Sequence, residues 1–317
     1  MIGRAKISVI GAGNVGASCA LWILSQNLGD VVLVDIPQME KPAKGKALDL
    51  FECSPIRRFD CKVTGTSNYK DIEGSDIVVV TAGLPRKPGM SRDDLIKTNV
   101  SIVRDVCLKI KESAPDSILI VVSNPLDAMV YAASKVTGFP SNRVIGQAGC
   151  LDLARFKTFI AEETGFSVED INTLLLGGHG DDMVPLARLT NISGIPINEF
   201  MTNERLNELI ERTKKGGGEI VELLGTSAYY AVGAAVTQMV ESIIRDKKRI
   251  LPCAGYCTGE YGINELFVGV PCVLGKNGLE KIIEVELLSE EKKLLLESSE
   301  HVRELVNVVC TLYPELK

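Results

Sequence analysis

The order of apolar and amphipathic segments in the first half of the chain is the feature that most constrains its fold. The strand-like run KISVI leads into GAGNVG at residues 11–16, and an amphipathic run follows. The strand pattern returns in VVLVD, CKVTGT, DIVVVTA, SILIVVS and NRVIG, up to about residue 146. Strands that alternate with helices are joined by right-handed crossovers into a parallel sheet that is covered on both faces. We therefore predict a doubly wound α/β domain at residues 1–146.

The glycines of GAGNVG have the spacing G-x-G-x-x-G, which by itself often marks only a turn. Here the pattern follows a strand, opens a helix and precedes Asp35, an acid at the end of the second strand. This context is typical of a Rossmann dinucleotide site, where the pyrophosphate binds at the helix N-terminus and the acid bonds the ribose hydroxyls. The acid would repel a 2′-phosphate, which favours NAD over NADP. The predicted cofactor contacts are Gly11, Ala12, Gly13, Asn14, Val15, Gly16 and Asp35.

The pattern changes after residue 146. Helices are predicted over CLDLARFKTFIAEETG, over NERLNELIERTKK with a break at residues 216–218, from about residue 226 to 245, and from about Ser289. Strands are predicted in DINTLLLGG, RILPCAGYC and INELFVGVPCVLG. We therefore predict a mixed α+β domain at residues 147–317 that carries the substrate.

Composition narrows the classes of partner. The net charge of −6 offers no excess of cations for nucleic acid. No run reaches the roughly 18 apolar residues of a membrane helix. Because an early strand begins at Lys6, we expect no secretory leader. The nine cysteines follow no framework spacing and are typical of reduced core residues in a cytoplasmic protein. Cys253 and Cys257 lack a second pair of ligands, so we predict no metal site.

The chain contains two histidines, so the search for a proton carrier is short. His301 falls within the C-terminal helix and reads as a surface residue. His179 lies in GGHGD, where flanking glycines would leave the ring open to a ligand, and imidazole is well suited to proton exchange near neutral pH. Asp152 and Arg155 are three residues apart and share one helix face, which an ordinary intrahelical ion pair would also explain.

Two arginines lie in GLPRKPGMSRDDL, directly after the strand DIVVVTA. Pro85, Pro88 and their neighbouring glycines argue against a regular element there. Because the whole chain is acidic, an anionic substrate would need local positive charge. Arg86 and Arg92 can supply that charge.

Five motifs occur together in the order and spacing of a known family: GAGNVG, TAGLPRKPGMSRDDL, VSNPLD, LDLARF and GGHGDDMVPL. The chain resembles the lactate/malate dehydrogenases over essentially its whole length, and most closely the lactate-dehydrogenase-like malate dehydrogenases. The resemblance implies an NAD-dependent enzyme that interconverts malate and oxaloacetate. It also implies a homotetramer or a homodimer.

The resemblance implies roles for individual residues. His179 would exchange the proton of the substrate hydroxyl, and Asp152 would orient the imidazole. Arg155 would bind the C1 carboxylate and Arg92 would polarise the carbonyl. Further residues are implied at the nicotinamide and the substrate: Asn99, Val122, Ser123 and Asn124 beside the cofactor, with Asn124 and Ala228 also beside the substrate.

The resemblance implies that Arg86 determines which 2-hydroxy acid is the substrate. Lactate-specific members usually carry a neutral glutamine at the corresponding position. The guanidinium of Arg86 would instead bind a second carboxylate of the substrate. Closing the site over pyruvate would leave Arg86 unpaired, at a cost of about 3–5 kcal/mol. The small Ala228, where lactate enzymes tend to carry threonine, leaves space for a longer acid.

The chain departs from the family pattern at two positions. Leu153 replaces a common serine, and Asp182 replaces a frequent threonine and adds negative charge beside the site. The alternatives are a lactate or other 2-hydroxyacid dehydrogenase, an NAD-dependent glycosidase, and a non-catalytic NAD-sensing module. The glycosidases resemble metal-assisted enzymes with cysteine and histidine ligands, and neither histidine here has a cysteine nearby.

Overall fold

A computed structural model of the chain describes residues 3–84 and 92–317, and the side chains of Arg92 and Asp93 fall outside that description. In the described ranges the helices are α1 (Asn14–Ser25), α2 (Glu40–Glu52), α3 (Ser54–Arg57), α4 (Arg92–Ser113), α5 (Leu126–Thr137), α6 (Gly149–Thr164), α7 (Asn203–Leu224), α8 (Tyr230–Ile244) and α9 (Ser289–Leu312).

The strands of the first half are β1 (Lys6–Ile10), β2 (Asp30–Val34), β3 (Val63–Thr66), β4 (Ile77–Val80), β5 (Ile118–Val121) and β6 (Val144–Gly146). The second half adds β7 (Ile171–Asn172), β8 (Leu175–Gly177), β9 (Met183–Pro185), β10 (Asn191–Ile192), β11 (Ile195–Pro196), β12 (Arg249–Thr258), β13 (Asn264–Gly275) and β14 (Gly278–Ile282).

The first six strands form a parallel sheet in the order β3-β2-β1-β4-β5-β6. Strand β1 lies between β2 and β4, with Val9 level with Leu33 on one side and Val79 on the other. Every residue of β4 and β5 is buried, because helices cover both faces. This arrangement confirms the predicted doubly wound fold, and its strand order reverses at β1 and β4, where ligands bind in such sheets.

The sheet continues into the second half of the chain. Strand β12 pairs antiparallel with β6 where Ala254 lies opposite Gly146, and the order proceeds through β13, β8 and β9, with β14 on β13. Strands β11, β10 and β7 form a separate small sheet. The predicted mixture of helices and strands in the second half is confirmed, and the boundary at residue 146 stays a prediction.

Three predicted boundaries are wrong. The stretch GLPRKPGMSRDDL, which was predicted to lack a regular element, ends within helix α4, because α4 begins at Arg92 and the prolines and glycines all precede that residue. Helix α7 runs through residues 216–218 without a break, because its buried Leu206 and Leu209 anchor it and Gly216 packs closely on α6. Helix α8 begins at Tyr230 rather than near residue 226. Gly225 ends α7 with a φ of +73°, and the chain turns before it enters the next helix.

Among the described residues, no helix combines the length and the apolar character that crossing a lipid bilayer requires.

Candidate active site

The glycine-rich turn lies between β1 and α1, at the point where the strand order reverses. Gly11 has a φ of +101°, and a Cβ atom there would lie 2.8 Å from Thr81 Oγ1. A Cβ atom on Gly16 would lie 1.9 Å from the Gly11 carbonyl oxygen. The first glycine therefore permits the backbone conformation, and the last permits helix α1 to pack on the turn.

Gly13 differs from the other two glycines, because nothing described lies within 4 Å of a Cβ atom built there. Packing within the chain therefore does not require glycine at this position, whereas close approach of a ligand would. Within the described chain, no side chain caps the first turn of α1, so its backbone N–H groups remain available to an anion. These features fit the pyrophosphate of a dinucleotide.

Asp35 follows β2 and lies directly beside this turn. Its Oδ2 accepts a hydrogen bond of 2.8 Å from the Ala12 N–H, and its Oδ1 accepts one of 2.8 Å from the Ile36 N–H. The Lys46 ammonium donates to the Ala12 carbonyl at 2.6 Å. The carboxylate is thus held at the edge of the turn, as the predicted ribose contact requires. Asn14 and Val15 begin α1 at the same place.

The ends of β4 and β5 are joined by Asn99 of α4. Its amide nitrogen donates to the carbonyl oxygens of Leu84 at 3.0 Å and Asn124 at 2.6 Å, and its Oδ1 accepts from the Leu84 N–H at 2.8 Å. Asn99 thus ties the two strand ends together, and its contact with the cofactor stays a prediction. Val122 and Ser123 are buried there, whereas Asn124 is exposed.

His179, Asp152 and Arg155 meet in the second half of the chain. Asp152 Oδ2 lies 2.8 Å from His179 Nδ1, and Asp152 Oδ1 accepts a hydrogen bond of 3.0 Å from Arg155. The Asp152 side chain is 1% exposed and that of His179 is 24% exposed. Asp152 therefore fixes the ring at Nδ1, which leaves Nε2 as the nitrogen for exchange with a ligand.

The electrostatic surroundings of His179 favour its protonated form. Burial alone would lower the pKa of the imidazole, but the charge and the hydrogen bond of Asp152 raise it, and Asp127 adds to this effect. Arg155 acts in the opposite direction. The net pKa of His179 lies above its usual value. The ring can thus hold a proton near neutral pH and release it to a substrate oxygen.

Arg155 is positioned to receive an anion. Its side chain is largely buried, and its Nε has no hydrogen-bond partner among the described residues. Because a buried donor without a partner is costly, a carboxylate would improve this site. The backbone of α7 lies against the same side chain, since a Cβ atom on Gly216 would be 3.2 Å from Arg155 Cδ.

Asp127 is a site residue that we did not predict. It lies in the first turn of the buried helix α5, and its Oδ2 accepts a hydrogen bond of 3.2 Å from the His179 N–H. Burial raises the pKa of its carboxyl to about 6, although the bond from His179 lowers it. The available sequence signal was an acid at the start of an otherwise apolar helix.

The structure describes some of the remaining predicted residues and not others. Ala228 is half-buried just before α8. Arg92 is the first residue of α4, but its side chain lies outside the described part, and so does the whole of Arg86. Asp182 pairs with His301 of α9, with its Oδ1 2.6 Å from His301 Nδ1.

The cysteines take no part in this site. All nine are free thiols, and burial raises the pKa of Cys253 and Cys272 well above its usual value. Within residues 3–84 and 92–317, no group of three or more metal-ligating side chains is found.

Comparisons with known proteins fit this geometry. The NAD binding domain of lactate/malate dehydrogenase matches residues 5–146, and the alpha/beta C-terminal domain of that family matches residues 150–311. A malate dehydrogenase of a Roseiflexus species is 59% identical over 94% of this chain and 96% of its own length.

Solved structures give the same result. The malate dehydrogenase of Salinibacter ruber is 51% identical, with a TM-score of 0.93 over 98% of this chain and 100% of that one. A lactate dehydrogenase of Cryptosporidium parvum, complexed with lactic acid and β-nicotinamide adenine dinucleotide, is 40% identical, with a TM-score of 0.93 over 98% of this chain and 99% of that one. The chain belongs to the lactate/malate dehydrogenase family and is an NAD-dependent oxidoreductase.

Proposed function

We propose that the protein interconverts (S)-malate and oxaloacetate with NAD as its redox partner. The observation that carries this proposal is the arrangement of His179 and Arg155 around the two oxygens of the buried Asp152 carboxylate. That arrangement provides a proton carrier and a carboxylate-binding cation side by side, which are the groups that a 2-hydroxy acid needs. The identity to relatives named malate dehydrogenase supports the choice of acid.

The proton step belongs to His179. The glycine-rich turn would hold NAD, which would supply the hydride acceptor for oxidation of the substrate carbon and, as NADH, the hydride donor for its reduction. In reduction, the imidazolium donates its Nε2 proton to the carbonyl oxygen of oxaloacetate. In oxidation, neutral His179 accepts the proton of the malate hydroxyl. Asp152 stabilises the cation in both directions.

The substrate is held by cations. Arg155 binds the C1 carboxylate with its planar guanidinium, and the unpaired Nε supports this role. We assign Arg92 to the carbonyl oxygen and Arg86 to the C4 carboxylate on their places in the sequence. Asn124 and Ala228 complete the proposed substrate contacts.

The preference for malate over lactate rests on Arg86 and on the relatives, since a lactate dehydrogenase shares the fold at an equal TM-score to that of the Salinibacter ruber enzyme. A guanidinium at residue 86 matches a second carboxylate and opposes the methyl group of pyruvate. Asp35 supports NAD over NADP, because a carboxylate beside the ribose repels a 2′-phosphate.

We also infer a homotetramer or a homodimer in the cytoplasm. Large apolar side chains are exposed on three helices, among them Leu48 and Phe51 of α2, Leu223 of α7 and Tyr230 of α8. These side chains are candidates for burial between subunits, which would bring them together in one apolar patch. The free thiols suit a reducing compartment. Light scattering of the purified protein would give the subunit number, and a monomeric mass would contradict the assembly.

A substrate panel tests the proposed reaction. With NADH, we expect rapid loss of its absorbance band on addition of oxaloacetate, slow loss with pyruvate, and no effect of a chelator. His179→Asn is the control, since it should bind NADH but lose about 10²–10⁴-fold in turnover. Faster reaction with pyruvate would assign the protein to the lactate enzymes instead. A chelator-sensitive activity would favour metal-assisted chemistry.

A further inference from the structure

The segment that carries His179 lies against helix α9 with very little clearance. A Cβ atom on Gly177 would lie 2.8 Å from Ser298 Oγ, and one on Gly178 would lie 3.0 Å from Val302 Cγ2. A Cβ atom on Gly177 would also lie 2.6 Å from the Asp182 carbonyl oxygen, and the residue has a φ of +86°, so a side chain there would strain this segment. The two glycines before His179 allow the loop to approach α9, in addition to leaving the ring accessible.

Ser298 bonds this segment on both sides of His179. Its Oγ accepts a hydrogen bond of 2.8 Å from the Gly178 N–H and donates one of 2.7 Å to the Asp182 carbonyl oxygen. Ser298 is only 4% exposed, so water has little access to replace either bond. A single buried hydroxyl thus joins the backbone before the histidine to the backbone after it.

Other contacts hold the same segment from two directions. One turn along α9, His301 pairs with the Asp182 side chain. From α5, Asp127 accepts the hydrogen bond of the His179 N–H. Among these residues, Ser298 forms hydrogen bonds both before and after His179, and both bonds are to backbone atoms.

We propose that Ser298 is a positioning residue for His179. By tying the backbone at Gly178 and Asp182 to α9, it keeps the imidazole against Asp152 in the orientation from which Nε2 exchanges a proton. Its hydroxyl is used by two backbone bonds, so it acts through the histidine rather than on the substrate. This inference rests on the proposed reaction only for the choice of assay substrate.

The neighbouring Ser299 provides a matched control. It is buried in the same turn of α9, and its hydroxyl donates to the Leu296 carbonyl at 2.7 Å, within its own helix. Ser299→Ala therefore removes a buried hydroxyl without touching the histidine segment. Ser298→Cys is a second test variant, because a thiol fills similar space but is a weak donor and a weak acceptor.

Kinetics give the first measurement. We expect Ser298→Ala to lower kcat for oxaloacetate reduction by about tenfold to a hundredfold, because a small displacement of a catalytic group has effects of that size. The KM and the NADH affinity should remain close to wild type, since Arg155 and the glycine-rich turn are unaffected. NADH binding also shows that the variant is folded. Ser298→Cys should show a smaller loss, and it carries the test if Ser298→Ala does not fold.

A titration of His179 by NMR gives a measurement that needs no turnover. The chain has two histidines, so the spectrum of His301→Gln assigns the remaining ring to His179. The charged groups that face this ring are Asp152, Asp127 and Arg155. If Ser298→Ala loosens the bond to Asp152, the midpoint of His179 should move to lower pH, whereas Ser299→Ala should leave it in place.

The outcomes separate the two proposals. Wild-type kinetics and an unchanged His179 midpoint in Ser298→Ala, or equal losses in the Ser298 and Ser299 variants, would overturn the role of Ser298. Inactivity of the wild-type protein with oxaloacetate would instead contradict the proposed reaction, and the titration would still test Ser298.

Discussion

His179 is surrounded by charges that act on it in opposite directions. Asp152 and Asp127 favour the imidazolium, whereas burial and Arg155 oppose it. Because the net pKa is raised, the free energy that this charge adds to folding is present below the ordinary pKa of about 6.5 and is lost as pH rises through the folded-state pKa. The protonation state of His179 should also decide whether the enzyme is active in reduction, which needs the imidazolium, or in oxidation, which needs the neutral ring.

We predict opposite pH profiles for the two directions. The kcat/KM for oxaloacetate reduction should fall as pH rises through the pKa of His179. The kcat/KM for malate oxidation should fall as pH drops through the same pKa. Asp152→Asn removes the main cause of the raised pKa, so both limbs should move to lower pH. Asp181→Asn removes an equal charge from an exposed neighbour and should shift neither. If the pH profiles of Asp152→Asn did not move, Asp152 would not be the cause of the raised pKa of His179.

We predict that Arg86→Gln changes the substrate ratio. Efficiency with oxaloacetate should fall, while that with pyruvate holds or rises, because the variant loses both the partner of the C4 carboxylate and the group that opposes a methyl. An unpaired buried charge costs about 3–5 kcal/mol, roughly a hundredfold to a few thousandfold in ratio. Arg92→Gln should lower the catalytic efficiency with oxaloacetate and with pyruvate by similar factors. Equal losses for both substrates in both variants would contradict this division of roles.

We predict that Asp35→Ser relaxes the preference for NADH over NADPH, because the carboxylate that opposes the 2′-phosphate is removed. The measurement is kcat/KM with each cofactor. A wild-type enzyme that uses both equally well would contradict the assignment.

Single residues were predictable where their chemistry is rare. A chain with two histidines offers few choices, and the structure brings His179 together with Asp152 and Arg155. Asp127 and Ser298 escaped prediction because acids and serines are common in helices. Their importance arises from distant segments that only the folded chain brings to His179.

At the scale of elements, helix α7 shows how packing overrides propensity. Three successive glycines in a helix interior cost about 1 kcal/mol each relative to alanine, which is why the sequence predicts a break. The helix persists because its apolar face is buried and because the bare backbone at Gly216 and Gly217 lies against Arg155. The strands of the first half, the long strands β12 and β13 and most helices were predictable from periodicity, whereas short strands such as β10, β11 and β14 were not. The close approach of two helices was not, since it depends on tertiary contacts.

We predict opposite effects of alanine at two of these glycines. Gly218→Ala should stabilise the protein by up to about 1 kcal/mol, with unchanged kinetics, since nothing described lies within 4 Å of the new Cβ atom. Gly216→Ala should lower kcat/KM for oxaloacetate by roughly tenfold, because it displaces Arg155. Thermal unfolding and steady-state kinetics measure both effects. Normal kinetics in Gly216→Ala would show that Arg155 tolerates the crowding.

At the scale of the whole molecule, one sheet runs through both halves of the chain. The parallel sheet with helices on both faces followed from the alternation of segments. The pairing of β6 with β12 did not, because it joins residues about a hundred positions apart and no local pattern reveals it. Apolar core also continues across this junction, where α8 packs on α1.

We predict that the protein unfolds in one cooperative transition, because separating the halves would break the sheet and expose this core. Calorimetry should show a single peak, which NADH moves to higher temperature as a ligand of the native state. Two peaks, of which NADH moves only the first, would contradict a single cooperative unit.

The junction between β6 and β12 also limits how such chains can be recombined. A Cβ atom on Gly146 would lie 2.8 Å from Ala254 Cβ, and one on Gly233 of α8 would lie 2.7 Å from the Ser18 carbonyl carbon in α1. Each half thus supplies a bare backbone position that its counterpart fills. A chimera that takes its first half from one relative and its second from another inherits only one side of each fit. Such a hybrid will assemble well only where the parent of the first half has glycine at position 146 and the parent of the second half has glycine at position 233.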